Sequence, residues 1–275
     1  MVITAPAFAR PAFRRSAFKR PLLARLSAAA AAFAAVVCLA PAVQAQIEAE
    51  PVAYEIDGES FEGYVARNPD LAGDLPVVVV IHDWDGLGTY ERRRVEMLAE
   101  AGYAAVALDL YGTGIRPETV EERRARSGAL YADRDRMRRL MTGGIAALVG
   151  EGMDEERLIA MGYCFGGAAV LELARSGAPA AGFVSFHGGL GTPEDQDYGA
   201  VTAPLLILHG SSDPVAPMDQ VVDLAARLDA AQVVHSMQIY GGVEHAFTVW
   251  GGGDYDSAAD LASWEAFLGF LDERL

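Results

Sequence analysis

The chain has 275 residues, with 22 basic against 38 acidic side chains and a formal net charge of −16. Apolar residues make up 52% and charged residues 22%, a mix that can bury a core and so excludes a disordered or fibrous chain. Two cysteines exclude a disulfide scaffold or a cysteine-rich zinc fold, and the acidic surplus argues against nucleic acid and anionic membranes as partners, because their phosphates would be repelled.

In chain order, residues 1–45 come first. They hold Arg10, Arg14, Arg15, Lys19, Arg20 and Arg25 and no acid. An apolar run, Ala28 to Ala40, follows; it is shorter than the ~20 residues a membrane-spanning helix needs. Ala42 and Ala45 then supply a small-x-x-small end. Residues 1–45 thus read as a secretory signal peptide cut after Ala45, and the protein is expected to be exported, periplasmic or secreted, with no membrane association after cleavage. Arg14-Arg15-Ser16-Ala17-Phe18-Lys19 is reminiscent of a twin-arginine signal. Cys38 leaves with the segment, so Cys164 becomes a lone thiol in an oxidising compartment.

Residues 46–275 are expected to form a single domain, since no linker or repeat divides them. Val52–Ile56 and Phe61–Ala66 flank Asp57-Gly58 as a β-hairpin. Pro76–His82 carries the run Val77-Val78-Val79-Val80-Ile81, of the kind buried on both faces of a sheet. A helix is predicted over Thr89–Ala101, stopping at Gly102, then a strand over Ala104–Leu110. Glu118–Val149 has helical spacing over a length that suits two helices. Strands follow at Arg157–Gly162, Ala181–His187, Pro204–His209 and Val233–Tyr240. Helices are predicted at Gly166–Arg175, Asp219–Leu228 and Tyr255–Leu271. This alternation predicts a mostly parallel sheet with helices on both faces, and its ligands should collect at the carboxyl ends of the strands.

The loops at those ends carry the chemistry-bearing residues. Gly162-Tyr163-Cys164-Phe165-Gly166-Gly167 lies between a strand and a helix, where a sharp turn lifts one side chain above the sheet. The helix start should favour a Cys164 thiolate, and the Phe165 N–H should face an oxyanion formed on a substrate. Asp213 follows a later strand and His245 the next, in the order nucleophile, acid, histidine. His245 suits the base and Asp213 the group that fixes its tautomer. By itself Asp213 equally suits a turn before Pro214. The loop Asp83-Trp84-Asp85-Gly86 is placed to give a second oxyanion N–H near Trp84. His187-Gly188-Gly189 is expected beside the pocket. His82, His187 and His209 end strands and His235 lies inside one, with no pair at metal-ligand spacing, so neither metal nor cofactor is expected.

These segments resemble the dienelactone hydrolase family, also called carboxymethylenebutenolidase-like proteins, within the α/β-hydrolase fold. The resemblance runs from about Tyr54 to Leu271. It is carried by Val80-Ile81-His82-Asp83-Trp84-Asp85-Gly86, Gly162-Tyr163-Cys164-Phe165-Gly166-Gly167, Gly210-Ser211-Ser212-Asp213 and Glu244-His245-Ala246-Phe247, with a looser match at Ala107-Leu108-Asp109-Leu110-Tyr111. It implies a triad of Cys164, His245 and Asp213. It also implies that Asp83 pairs with the resting thiol and is displaced when substrate binds. Members acting on dienelactone hold the substrate carboxylate with arginines; one of those positions is Val249 here, and the other falls among Arg123, Arg124 and Arg126. The resulting expectation is hydrolysis of a small-molecule ester or lactone through a thioester acyl-enzyme. Two alternatives are a redox-active thiol protein, which would consume peroxide, and a non-catalytic binding protein on a hydrolase scaffold, which would form no acyl adduct.

Overall fold

The computed structural model describes residues 46–275, so the signal peptide expected at 1–45 lies outside the described residues. Strands β1 (Glu48–Ile56), β2 (Glu59–Arg67) and β3 (Leu75–Ile81) lead to α1 (Thr89–Glu100) and β4 (Ala104–Leu108). Helices α2 (Val120–Ala132) and α3 (Arg134–Leu148) precede β5 (Met153–Tyr163) and α4 (Phe165–Arg175). Then come β6 (Gly182–Phe186), β7 (Leu205–Gly210), α5 (Met218–Ala230), β8 (His235–Tyr240) and α6 (Ser257–Arg274).

The eight strands form one sheet in the order β1-β2-β4-β3-β5-β6-β7-β8. β1 and β2 pair antiparallel, as do β2 and β4; every later pairing is parallel. The hairpin turns at Asp57 and Gly58, both with positive φ (53° and 79°), as a two-residue turn matching the strand twist requires. β1 starts before the predicted Val52 and takes in Pro51; its place at the sheet edge leaves the missing N–H harmless. β5 begins earlier than predicted because its pairing with β3 slips between Pro76 and Val77, and the regular ladder resumes at Leu158. α6 starts at Ser257 because the Asp256 side chain caps it, accepting from the N–H groups of Ala258 and Ala259. The long predicted helical stretch divides at Asp133, whose side chain accepts from the Arg136 N–H and opens α3.

β3 lies in mid-sheet, and Val77 to Ile81 are all 0% exposed. Alternate side chains feed two cores. Val77, Val79 and Ile81 join residues of α2, α3, α4 and α5, such as Leu130, Met137, Ala169 and Leu224. Val78 and Val80 join Val95 and Leu98 of α1 and Phe267 and Leu271 of α6. A run apolar at every position is what a strand covered on both faces needs.

Candidate active site

Cys164 occupies the one-residue bend between β5 and α4, with φ 50° and ψ −110°, a conformation that L-residues adopt only when the surroundings force it. The forcing is visible in two glycines. A Cβ on Gly162 would lie 2.3 Å from the Gly166 carbonyl carbon, and one on Gly166 would lie 2.2 Å from the Ile81 oxygen. Helix α4 can therefore press against β3 and β5 only with glycine at both places, and that close approach turns the thiol outward.

His245 Nε2 lies 3.0 Å from Cys164 Sγ, and its Nδ1 lies 2.7 Å from Asp213 Oδ2. A carboxylate only accepts, so Nδ1 carries the hydrogen and Nε2 faces the thiol with its lone pair. Asp213 also performs the turn role, because its Oδ1 accepts from the N–H groups of Val215 (2.7 Å) and Ala216 (3.0 Å). Burial disfavours the Asp213 carboxylate, but the hydrogen bonds from His245 and these amides outweigh it and hold the carboxyl below its ordinary range.

The Asp83 carboxyl faces the same thiol. Its Oδ1 accepts from the Trp84 N–H, the amide assigned from sequence to an oxyanion. Burial pushes Asp83 up to about 6, against the opposing pull of its contacts with Cys164 and the Trp84 N–H. The Cys164 thiol is pushed well above its ordinary value, first by burial and then by the charge of Asp83 and the hydrogen bond to it. The Phe165 N–H at the start of α4 works the other way and is outweighed. The resting sulfur is therefore a protonated thiol, where the helix start taken by itself predicts a thiolate.

Glu91, on α1, holds the loop that carries Asp83 and Trp84. Its Oε1 accepts from the Asp83 N–H at 3.3 Å and its Oε2 from the Gly88 N–H at 2.8 Å, and burial pushes it up to about 7. The Tyr111 hydroxyl donates to the Trp84 carbonyl at 3.1 Å. Glu91 escaped the sequence reading because it looks like one more helical acid. Its available signal was its place three residues after Gly88, where a side chain reaches back to the helix start.

The other histidines are placed differently. His82 bonds the Asp83 carbonyl through Nδ1 (2.5 Å) and accepts the Leu110 N–H at Nε2 (3.2 Å). His209 Nε2 bonds the Ala216 carbonyl (2.7 Å), and His235 Nδ1 the Val233 carbonyl (2.9 Å). His187 is sealed beneath the site at 0% exposure, while Gly189 lines a cavity of about 150 Å³ with Tyr131, Arg134, Ala168, Arg175 and Gly191. Tyr131 stands edge-on to Phe165, with ring centroids 5.4 Å apart. The Arg123 guanidinium lies over the Trp84 ring at 5.8 Å, Arg124 and Arg126 are exposed, and Val249 is half-buried. Among the described residues, no three His, Cys, Asp or Glu side chains cluster as metal ligands would.

The pattern of the dienelactone hydrolase family matches residues 61–275. A relative from Bradyrhizobium sp, a "Probable 2-oxo-3-(5-oxofuran-2-ylidene)propanoate lactonase", is 27% identical over 225 residues, 78% of this chain and 90% of its own. The solved protein m3DLH is 32% identical with a TM-score of 0.78, covering 83% of this chain and 99% of its own. A solved dienelactone hydrolase-like promiscuous phosphotriesterase from metagenomic libraries is 28% identical with a TM-score of 0.77, covering 83% and 98%. Because the matched stretch takes in all of the sheet but its first strand and the first two residues of β2, with every loop at the carboxyl ends of the parallel strands, the chain belongs to the dienelactone hydrolase family and is an α/β-hydrolase-fold enzyme of the ester- and lactone-cleaving kind.

Proposed function

We propose that Cys164 is the nucleophile of this hydrolase, His245 its general base and then acid, and Asp213 the group that orients the imidazole. The observation that carries this reading is the unbroken line of contacts from Sγ to Nε2 (3.0 Å) and from Nδ1 to Oδ2 (2.7 Å). The thiol proton passes to Nε2 as Sγ bonds to the carbonyl carbon. The oxyanion is met by the N–H groups of Phe165 and Trp84. Nε2–H then returns the proton to the leaving oxygen, the C–O bond breaks, and a thioester remains. Water deprotonated by His245 attacks the thioester, the C–S bond breaks as Nε2–H returns the proton to Sγ, and the acid product leaves. Every step is a proton or acyl transfer, so no cofactor enters.

Asp83 sets the entry condition. At rest it occupies the Trp84 N–H and faces the thiol, so a substrate carbonyl must displace it before the amide can serve an oxyanion. Arg123, stacked on Trp84, suits a negatively charged group on the substrate, and the partner position Val249 offers no charge. Lactones and activated esters are the substrates proposed, since their oxygen leaving groups need less protonation than an amine. Residues 1–45 are proposed as the export signal; a mature form beginning at Gln46 on intact-mass analysis of the exported protein supports this, and an uncut chain refutes it.

The test of the mechanism is intact mass after brief exposure to nitrophenyl esters and lactones, with Cys164→Ala as the control. An acyl increment on the wild-type chain and loss of turnover in the variant are expected. Undiminished turnover by Cys164→Ala would overturn the reading.

A further inference from the structure

Among the buried titratable groups of the described residues that take no part in the proposed chemistry, His187 alone bonds the backbone N–H of Cys164. His187 follows β6, has a positive φ of 38° and is fully buried. Its Nδ1 accepts the Cys164 N–H at 3.2 Å. That N–H also reaches the Phe186 carbonyl at 3.0 Å. Because Nδ1 accepts, Nε2 carries the hydrogen and donates to Thr248 Oγ1 at 2.8 Å. Thr248 Oγ1 also accepts from the Tyr90 hydroxyl (2.7 Å), which in turn accepts from Arg94 Nε (3.2 Å). The His187 ring meets the His245 ring edge-on with centroids 5.3 Å apart, and meets Phe247 at the same separation.

We infer that His187 is a positioning residue that ties the bend carrying Cys164 to the loop carrying His245 through Thr248, and so holds Sγ and Nε2 in register for proton transfer. The two partners arrive from different strands: Cys164 ends β5, and His245 lies in the turn-rich stretch after β8. Nothing within either segment sets their separation. His187 grips the backbone of the first and a side chain three residues past the histidine of the second. Small losses of alignment at such a contact cost large factors in rate.

The ring must also stay neutral, since a charge there would oppose the imidazolium that forms on His245. Burial drives His187 well below its ordinary value. The charges it senses come from His245 and His209, which disfavour protonation, and from Asp213, which favours it. Tyr90 and Arg94 of α1 stand behind Thr248.

The inference rests on the proposed roles of Cys164 and His245, and the test separates the two. Three variants are compared on a nitrophenyl ester: His187→Phe, which keeps the ring edge and loses both bonds; Thr248→Val, which cuts the link to the loop together with the bond from the Tyr90 hydroxyl and leaves the His187 grip on the Cys164 N–H; and the double variant. Thiol inactivation by iodoacetamide is followed across pH in parallel. We expect each single variant to lower kcat by about tenfold or more with KM within about twofold, to shift the pH profile of alkylation, and to melt near the wild type. The double variant should be no worse than the poorer single one, because both break one chain of contacts. Should His187→Phe fold poorly, Thr248→Val carries the test. If Cys164→Ala is inactive while Thr248→Val keeps kcat and the alkylation profile of the wild type, the positioning role is refuted and the nucleophile stands. If Cys164→Ala stays active, both fall.

Discussion

At the scale of single residues, the resting sulfur is a neutral thiol among charged carboxylates. Packing around Sγ and the Asp83 carboxyl beside it both oppose the thiolate, and they outweigh the Phe165 N–H, which favours it. A sulfur kept protonated is also shielded from oxidants, which attack thiolates. Replacing Asp83 by Asn removes the negative charge without changing the shape. Iodoacetamide should then modify Cys164 roughly tenfold faster at pH 7, corresponding to about one unit in the thiol's titration; an unchanged rate would mean that Asp83 does not restrain the sulfur. His245→Ala should lower kcat by about 10²–10⁴-fold, the usual worth of a general base, measured under saturating ester.

At the scale of elements, the site depends on how closely α4 approaches the strands beneath it. Gly166 faces the Ile81 and His82 carbonyl oxygens, and a methyl group there would meet backbone that cannot swing aside. Gly166→Ala should cost about 1–3 kcal/mol or more in urea unfolding, with activity lost along with the bend. Gly128, on α2, has open space around a built Cβ, so Gly128→Ala should instead stabilise by up to about 1 kcal/mol in the same assay. The contrast tests whether close approach, and not glycine as such, is what the bend requires. Helix α1 takes part through Glu91, whose carboxyl holds two amides of the loop bearing Trp84. That loop is positioned by a helix that supplies no group to the proposed chemistry.

At the scale of the molecule, stability should depend on pH in a definite direction. Asp83 and Glu91 titrate in the folded state at about 6 and about 7, above the ordinary carboxylate range near 4. Their contribution to stability is therefore full below that range and is lost as the pH rises through 6 and 7. The melting temperature should fall between pH 5 and pH 8. The net charge of −16 adds surface repulsion of the same sign. Salt separates the two, because it screens the exposed charges and barely reaches the buried pair. A fall that persists at high salt and flattens in Asp83→Asn assigns it to the site; a fall abolished by salt assigns it to the surface.

Much of the fold is legible in local pattern. The two-sided run Val77 to Ile81, the Asp57-Gly58 turn and the helical spacings are properties of neighbouring residues, and each produced the element it predicts. The bend at Cys164 was readable for the same reason, since Gly162 and Gly166 stand within a few positions of it. Asp213 and His245 could be nominated by their order along the chain, but only the folded sheet brings them to 2.7 Å from each other and His245 to 3.0 Å from the sulfur. The protonation of Cys164, the capture of the Trp84 amide by Asp83 and the grip of His187 on two loops were beyond the sequence. Each is a sum over groups from distant segments, and burial, which dominates those sums, exists only once the chain has closed around them.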